Sequence, residues 1–322
     1  MSESRAGVNW RHVGLYYGVA LGGAIVVALA IWALSSTLGE VGSVIALGMT
    51  AVLYMPLPLV AGLVVERVAR RPLLLGAEWR ALRAGFWRSY GRNALVAAVV
   101  TLVVLGVGLL VSWLAGGLGL PGGGRLVASD AELAENLARI NPAVVAAAVP
   151  PVAVLVAVTA VQGILAGLTI NGLFAFGEEY GWRGVLADEL RPLGRFRATL
   201  LTGVLWGFWH APIIVLGHNY GAEWGWGIFV MVTWTVPLSF ILTWSRDRTG
   251  SVLAPAMLHG AFNGVLGVFV FLIVGGSRLI NLPVGLLMAL TLTLIALVVW
   301  RLPVRREATG ALPAGEQAVP AS

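Results

Sequence analysis

Eight stretches of this 322-residue chain run for about twenty residues each with almost no charge, the length a helix needs to cross a hydrocarbon core. They cover 13–34, 41–65, 94–115, 143–176, 198–216, 225–244, 252–274 and 279–300. Inside a bilayer each backbone amide must find its partner within the protein, so such stretches commit to helix. The expected fold is therefore all-α: a polytopic membrane bundle of about eight transmembrane helices. Composition agrees, since only 11% of residues are charged, against about 25% in soluble domains. The expected organisation is a terminus over 1–12, one integral membrane domain over 13–301, and an Ala/Gly/Pro-rich disordered tail over 302–322. The fourth stretch is too long for one straight crossing, and Pro150 and Pro151 either begin its helix or kink it.

Charge orients the bundle. The chain has no lysine, and 18 of its 21 arginines fall in the termini and loops of one parity. Only Arg125, Arg139 and Arg278 fall on the other side. By the positive-inside rule both termini face the cytoplasm. The basic isoelectric point of about 10.4 is then an orientation signal, and nucleic acid is not an expected partner. Membrane lipids are, in a multi-pass protein of the cell (plasma) membrane. The arginine-rich stretch 67–92 mixes Leu, Trp and Phe at helical spacing and suits an amphipathic helix on anionic headgroups. Residues 116–124, with six glycines, read as a flexible outer loop, and 131–141 as a short outer surface helix. The first stretch reads as a retained span, and no internal repeat stands out. Absence of cysteine excludes disulfides, thiolate metal sites and cysteine nucleophiles.

Polar side chains within a bilayer are unfavourable, so each is a candidate for function. Glu178 and Glu179 close the fourth stretch in FAFGEEYGWRG, with Arg183 following. His210 lies in the fifth, in LWGFWHAP, and His259 and Asn263 in the seventh, in MLHGAFNG. Glu179 and Arg183 are four apart and can pair on a helix, as can His259 and Asn263 on one face. Trp206 stands one turn before His210 and can wall a pocket beside it. A carboxylate, two imidazoles and a carboxamide are the parts needed to activate water and stabilise an oxyanion. The same groups can also serve as hydrogen-bonding struts between helices, and Glu179–Arg183 as a structural pair.

The pattern Glu178-Glu179-x-x-x-Arg183, Trp206-x-x-x-His210, His259-x-x-x-Asn263 resembles the CPBP family. These are the membrane proteases of the type II CAAX prenyl protease and Abi group, the latter tied to bacteriocin processing and self-immunity. The family often has Phe where this chain has Trp206. The motifs span roughly 165–270, and the family core is expected over about 143–300. The resemblance implies an intramembrane endopeptidase acting on a membrane-associated peptide or protein. It implies Glu178 as base, His210 as its partner, and His259 with Asn263 as oxyanion hole, supported by Glu179 and Arg183. No cofactor is firmly implied. The family is also called metalloprotease, in which case Glu178, His210 and His259 would supply three zinc ligands with an open position. The zinc-protease signature H-E-x-x-H is absent, which favours a metal-free water. Two other classes stand beside this reading. One is a non-catalytic scaffold or bacteriocin-immunity protein on the same fold. The other is a proton-coupled transporter, for which neither the order nor the spacing of the motifs would be needed.

Overall fold

The computed structural model describes residues 7–144 and 148–304, so the expected disordered tail lies outside the described residues except for 302–304. The first helix, α1, is assigned unbroken over Trp10–Met49 and followed by a π-helical turn, Thr50–Tyr54, and α2, Leu57–Val68. Forty residues at helical rise would reach about 60 Å, twice the hydrocarbon thickness. Yet Gly42 lies against the Leu34 carbonyl and Gly23 against the Leu57 side chain, so the chain doubles back inside α1. The reversal falls at the gap expected between 34 and 41.

The arginine-rich stretch forms α3, Leu74–Ala84, none of whose residues is buried. Carboxylates hold it. Glu66 accepts from the Leu74 amide at 2.7 Å and from the Tyr180 hydroxyl at 2.6 Å. Glu78 accepts from the Ser251 hydroxyl at 2.6 Å and the Val252 amide at 3.2 Å. Helix α4, Phe86–Gly117, leads into the glycine run, which forms turns at the place of the expected loop. From it β1, Arg125–Leu126, pairs antiparallel with β2, Ile273–Val274, and Gly122 accepts from the Ser277 amide at 2.9 Å. The expected outer helix is α5, Asp130–Ile140, started by the Ser129 hydroxyl accepting from the Glu132 amide at 3.2 Å.

The long fourth stretch resolves into two helices. Helix α6, Val152–Leu168, starts directly after Pro151, so the prolines begin the helix and do not kink it. The break comes at Thr169: α7, Ile170–Glu179, opens the segment Ile170–Leu193, which is bent from α6 by 53°. A π-helical turn, Tyr180–Leu186, and the short α8, Ala187–Leu190, continue from α7. Then follow α9, Arg195–Trp209; α10, Ala211–Val215; α11, Trp224–Thr249; α12, Leu253–Leu272; and α13, Leu286–Val299.

Among the described residues six helices are long and apolar enough to cross a membrane alone, and the bent pair makes a seventh. Helix α13, with 14 residues, is shorter than a straight crossing needs. Length alone therefore gives six or seven crossings, not eight. The loops nevertheless sort by the expected parity. At the basic end His12 and Arg71 meet Glu189, Arg92 donates to the Thr249 carbonyl, Arg246 pairs with Asp188, and Arg195 covers the Trp300 ring. At the other end Arg125 pairs with Glu132, Asn136 donates to the Phe271 carbonyl, and Ser277 donates to Glu223.

Helix α12 is the centre, packed on α4, α6, α7 and α11. A helix can only be this crowded where its neighbours present small residues. Gly163 meets Gly264, Gly172 meets Gly260, and a side chain at Gly167 would land on the backbone of Ala261. This contact fixes the depth of His259 relative to the end of α7.

Candidate active site

Helix α7 ends on Glu178 and Glu179, both buried, and the chain then widens into the π-helical turn. Such turns accommodate one residue more than an α-helix and recur at functional sites. Here the turn carries Arg183, which like Glu179 is wholly buried and donates Nη1–H to Glu179 Oε1 at 2.9 Å. Glu179 Oε1 also meets His259 Nδ1 from α12 at 2.9 Å. One carboxylate oxygen thus joins a cation and an imidazole from different helices.

Trp206 of α9 is the hub. Its indole N–H donates to Glu178 Oε2 at 2.8 Å. The Arg183 guanidinium lies over its ring at 4.3 Å. The His259 and His210 rings stand 5.3 and 5.7 Å from it. The sequence suggested a wall beside His210; the structure makes Trp206 a hydrogen-bonding centre for the group.

The imidazoles differ in what they can do. His210 Nδ1 lies 2.8 Å from the Trp206 carbonyl, which can only accept, so Nδ1 bears the proton and Nε2 is left as an acceptor in the neutral ring. His259 gives its Nδ1–H to a carboxylate, so its Nε2 becomes a donor when the ring is protonated. Glu178 keeps one oxygen outside the indole hydrogen bond. An acceptor pair and a potential donor therefore flank the same indole. Asn263 stands apart: it is exposed, one turn beyond buried His259 on α12, and no hydrogen bond reaches it among the described residues.

Among the described residues no three His, Cys, Asp or Glu side chains are grouped to hold a metal ion, which includes Glu178, His210 and His259.

Several contributors were not singled out from sequence. The first hairpin supplies Tyr16 and Tyr54, whose positions inside apolar spans were the available signal. The Tyr54 hydroxyl donates to the Trp209 carbonyl at 2.7 Å, and Trp209 stacks edge-on to His210 at 4.9 Å. Tyr16 lies edge-on to Trp182 at 5.3 Å. Around them the buried Tyr16 hydroxyl, Glu179 Oε2, Trp182 Nε1, and Arg183 Nε and Nη2 have no hydrogen-bond partner among the described residues.

Beside the cluster, at the basic end, an apolar cavity of about 300 Å³ opens between α3 and the α7–α12 pair. Trp79, Tyr90, Leu173, Phe176 and Met257 line it. Glu78, also in its wall, is pushed above the usual carboxylate range by burial.

Residues 153–265 match the family model of the Rce1-like type II CAAX prenyl endopeptidases. CAAX prenyl protease 2 of Methanococcus maripaludis is 33% identical over 92 residues, which is 26% of this chain and 33% of the relative. The chain thus spans about a third of the length of the curated relative it matches. The matched segment contains Glu178, Arg183, His210, His259 and Asn263.

Proposed function

We propose, from the match of residues 153–265 to the Rce1-like family model, that the protein is an intramembrane endopeptidase of the CPBP kind in the cell membrane. The observation that carries the reading is the gathering of Glu178, His210 and His259, from three helices, around the Trp206 indole.

Hydrolysis proceeds as follows. A water held by the free oxygen of Glu178 and by His210 Nε2 loses a proton to Glu178 as its oxygen attacks the scissile carbonyl carbon. The carbonyl oxygen becomes an oxyanion. Protonated His259, its charge supported by Glu179, donates to it from Nε2, and Asn263 donates from the open side. The C–N bond then breaks, and Glu178 returns the proton to the leaving amine. Asn263 needs no protein partner in this scheme, because its partner is the substrate. The substrate is a membrane-anchored peptide. The apolar cavity between α3 and α7 takes its apolar part, in keeping with the prenyl protease name of the archaeal relative.

The test compares peptides released from membranes carrying wild type or Glu178→Gln. Glu178→Gln keeps the shape but removes the base, and activity falls by about 10²–10⁴. Asn263→Ala lowers kcat by roughly 10²–10³ with KM little changed. Prolonged chelation leaves activity intact. Full activity in Glu178→Gln would end the glutamate mechanism, and absence of any peptide release that depends on the wild type would turn the reading to a scaffold.

A further inference from the structure

Tyr16 belongs to α1, well outside the matched segment 153–265, yet its side chain is completely buried beside the charged groups of the site. Its hydroxyl fits the crook of the π-helical turn. A side chain at Gly181 would strike both that hydroxyl and the Pro58 carbonyl, so glycine is what admits the phenol there. The charges of Arg183, Glu179 and Glu178 all bear on the hydroxyl, with Arg183 foremost. Among the described residues Tyr16 Oη has no hydrogen-bond partner, and neither do Arg183 Nε and Nη2 or Glu179 Oε2. A buried hydroxyl, two free guanidinium nitrogens and a free carboxylate oxygen form a matched set of donors and acceptors. Buried polar groups are seldom left unpaired, and a water with two to four such partners is the usual solution.

We propose that Tyr16 is a positioning residue of the active site, joined through a buried water to the free atoms of the Glu179–Arg183 pair. This rests on the endopeptidase reading. The hydroxyl acts at one remove. Arg183 covers the Trp206 ring whose N–H holds Glu178, and Glu179 holds His259. Fixing the pair fixes the base and the oxyanion donor together. The first hairpin is then part of the catalytic apparatus as well as of the bundle.

Tyr16→Phe removes only the hydroxyl and keeps the ring against Trp182. Tyr17→Phe is the control: Tyr17 also lies near Trp182, at 6.5 Å, but it is only half-buried. The expected result for Tyr16→Phe is a kcat about tenfold lower, equivalent to about 1.4 kcal/mol, with KM within twofold. The pH dependence of kcat shifts, and para-aminophenylalanine at position 16 restores both. Tyr17→Phe behaves as wild type.

Histidine-ring NMR gives a second readout that needs no activity, since the chain has four histidines. The His259 signals move in Tyr16→Phe and stay in Tyr17→Phe. If Glu178→Gln is inactive while Tyr16→Phe keeps wild-type kcat, pH profile and His259 signals, the inference falls and the endopeptidase stands. If wild type releases no more peptide than membranes lacking the protein, the endopeptidase falls, and the His259 signals alone decide Tyr16: moved supports its positioning role, unmoved overturns it. If Tyr16→Phe does not accumulate, the para-aminophenylalanine variant decides, with near wild-type kcat and His259 signals supporting the inference and their loss overturning it.

Discussion

Glu179 and Arg183 are both wholly buried, 2.9 Å apart, in the middle of an apolar bundle. Removing one partner of such a pair leaves the other charge without compensation, at about 3–5 kcal/mol. Glu179→Gln retains an acceptor for Arg183 Nη1 and for His259, so its loss sits at the lower end, about 3 kcal/mol. Arg183→Met leaves the carboxylate with His259 alone and also strips the cation from the Trp206 face, a contact worth about 2 kcal/mol when desolvated. Its loss belongs at the upper end of the range. In the double variant no buried charge of the pair is stranded. Its destabilisation is therefore smaller than the sum of the singles by about 2 kcal/mol, within the coupling range of contacting residues. The assay is equilibrium unfolding in mixed micelles, followed by tryptophan fluorescence. Singles within about 1 kcal/mol of wild type, or strictly additive losses, would refute the claim that the pair is a buried electrostatic unit.

Other outcomes can be measured independently. Gly167→Ala forces α6 off the Ala261 backbone, so both thermal stability and activity drop, whereas Ala at Gly106, which has open space, leaves both unchanged. Glu132 is held down at about 2 by its hydrogen bond from Arg125 and by that from the Ala128 amide at 2.7 Å. A depressed carboxylate stabilises above its unfolded value, about 4.3, and loses that effect as pH falls through the folded one. Exchange protection of the Ala128 amide accordingly persists at pH 5 and is gone below about pH 2. Reporter fusions after Gly221 read outside and those after Arg306 inside; both on one side would break the assigned orientation.

Much of this architecture was legible because bilayer solvation is severe. Apolar length located the helices, and arginine parity sorted the loops. Ionisable residues within apolar runs pointed to Glu178, His210 and His259. The bend at Thr169 was not legible, since neither proline nor glycine occupies it; it follows from the close seating of Gly167 on α12. Tyr16, Tyr54 and Trp209 looked like ordinary aromatics of apolar spans, because a hydroxyl or indole N–H declares its role only when its partner is known. Glu66, Glu78 and Glu189 looked like loop charges, yet each is a buried or largely buried acceptor that anchors a surface segment. Asn263 was chosen by its spacing from His259, and the structure leaves it open on the helix surface.

The π-helical turn at Tyr180–Leu186 makes the chain a ruler with one division too many. Deleting a single residue there would let the segment relax to α-helix with the helices on either side close to their present register. Glu178 and Glu179, ahead of the turn, would keep their places, and Glu189, behind it, would keep His12 and Arg71. Arg183, inside the turn, would lose its seat against Glu179 and the Trp206 ring. The surplus residue thus governs the buried charge pair and leaves the fastening of the amino-terminal helix untouched.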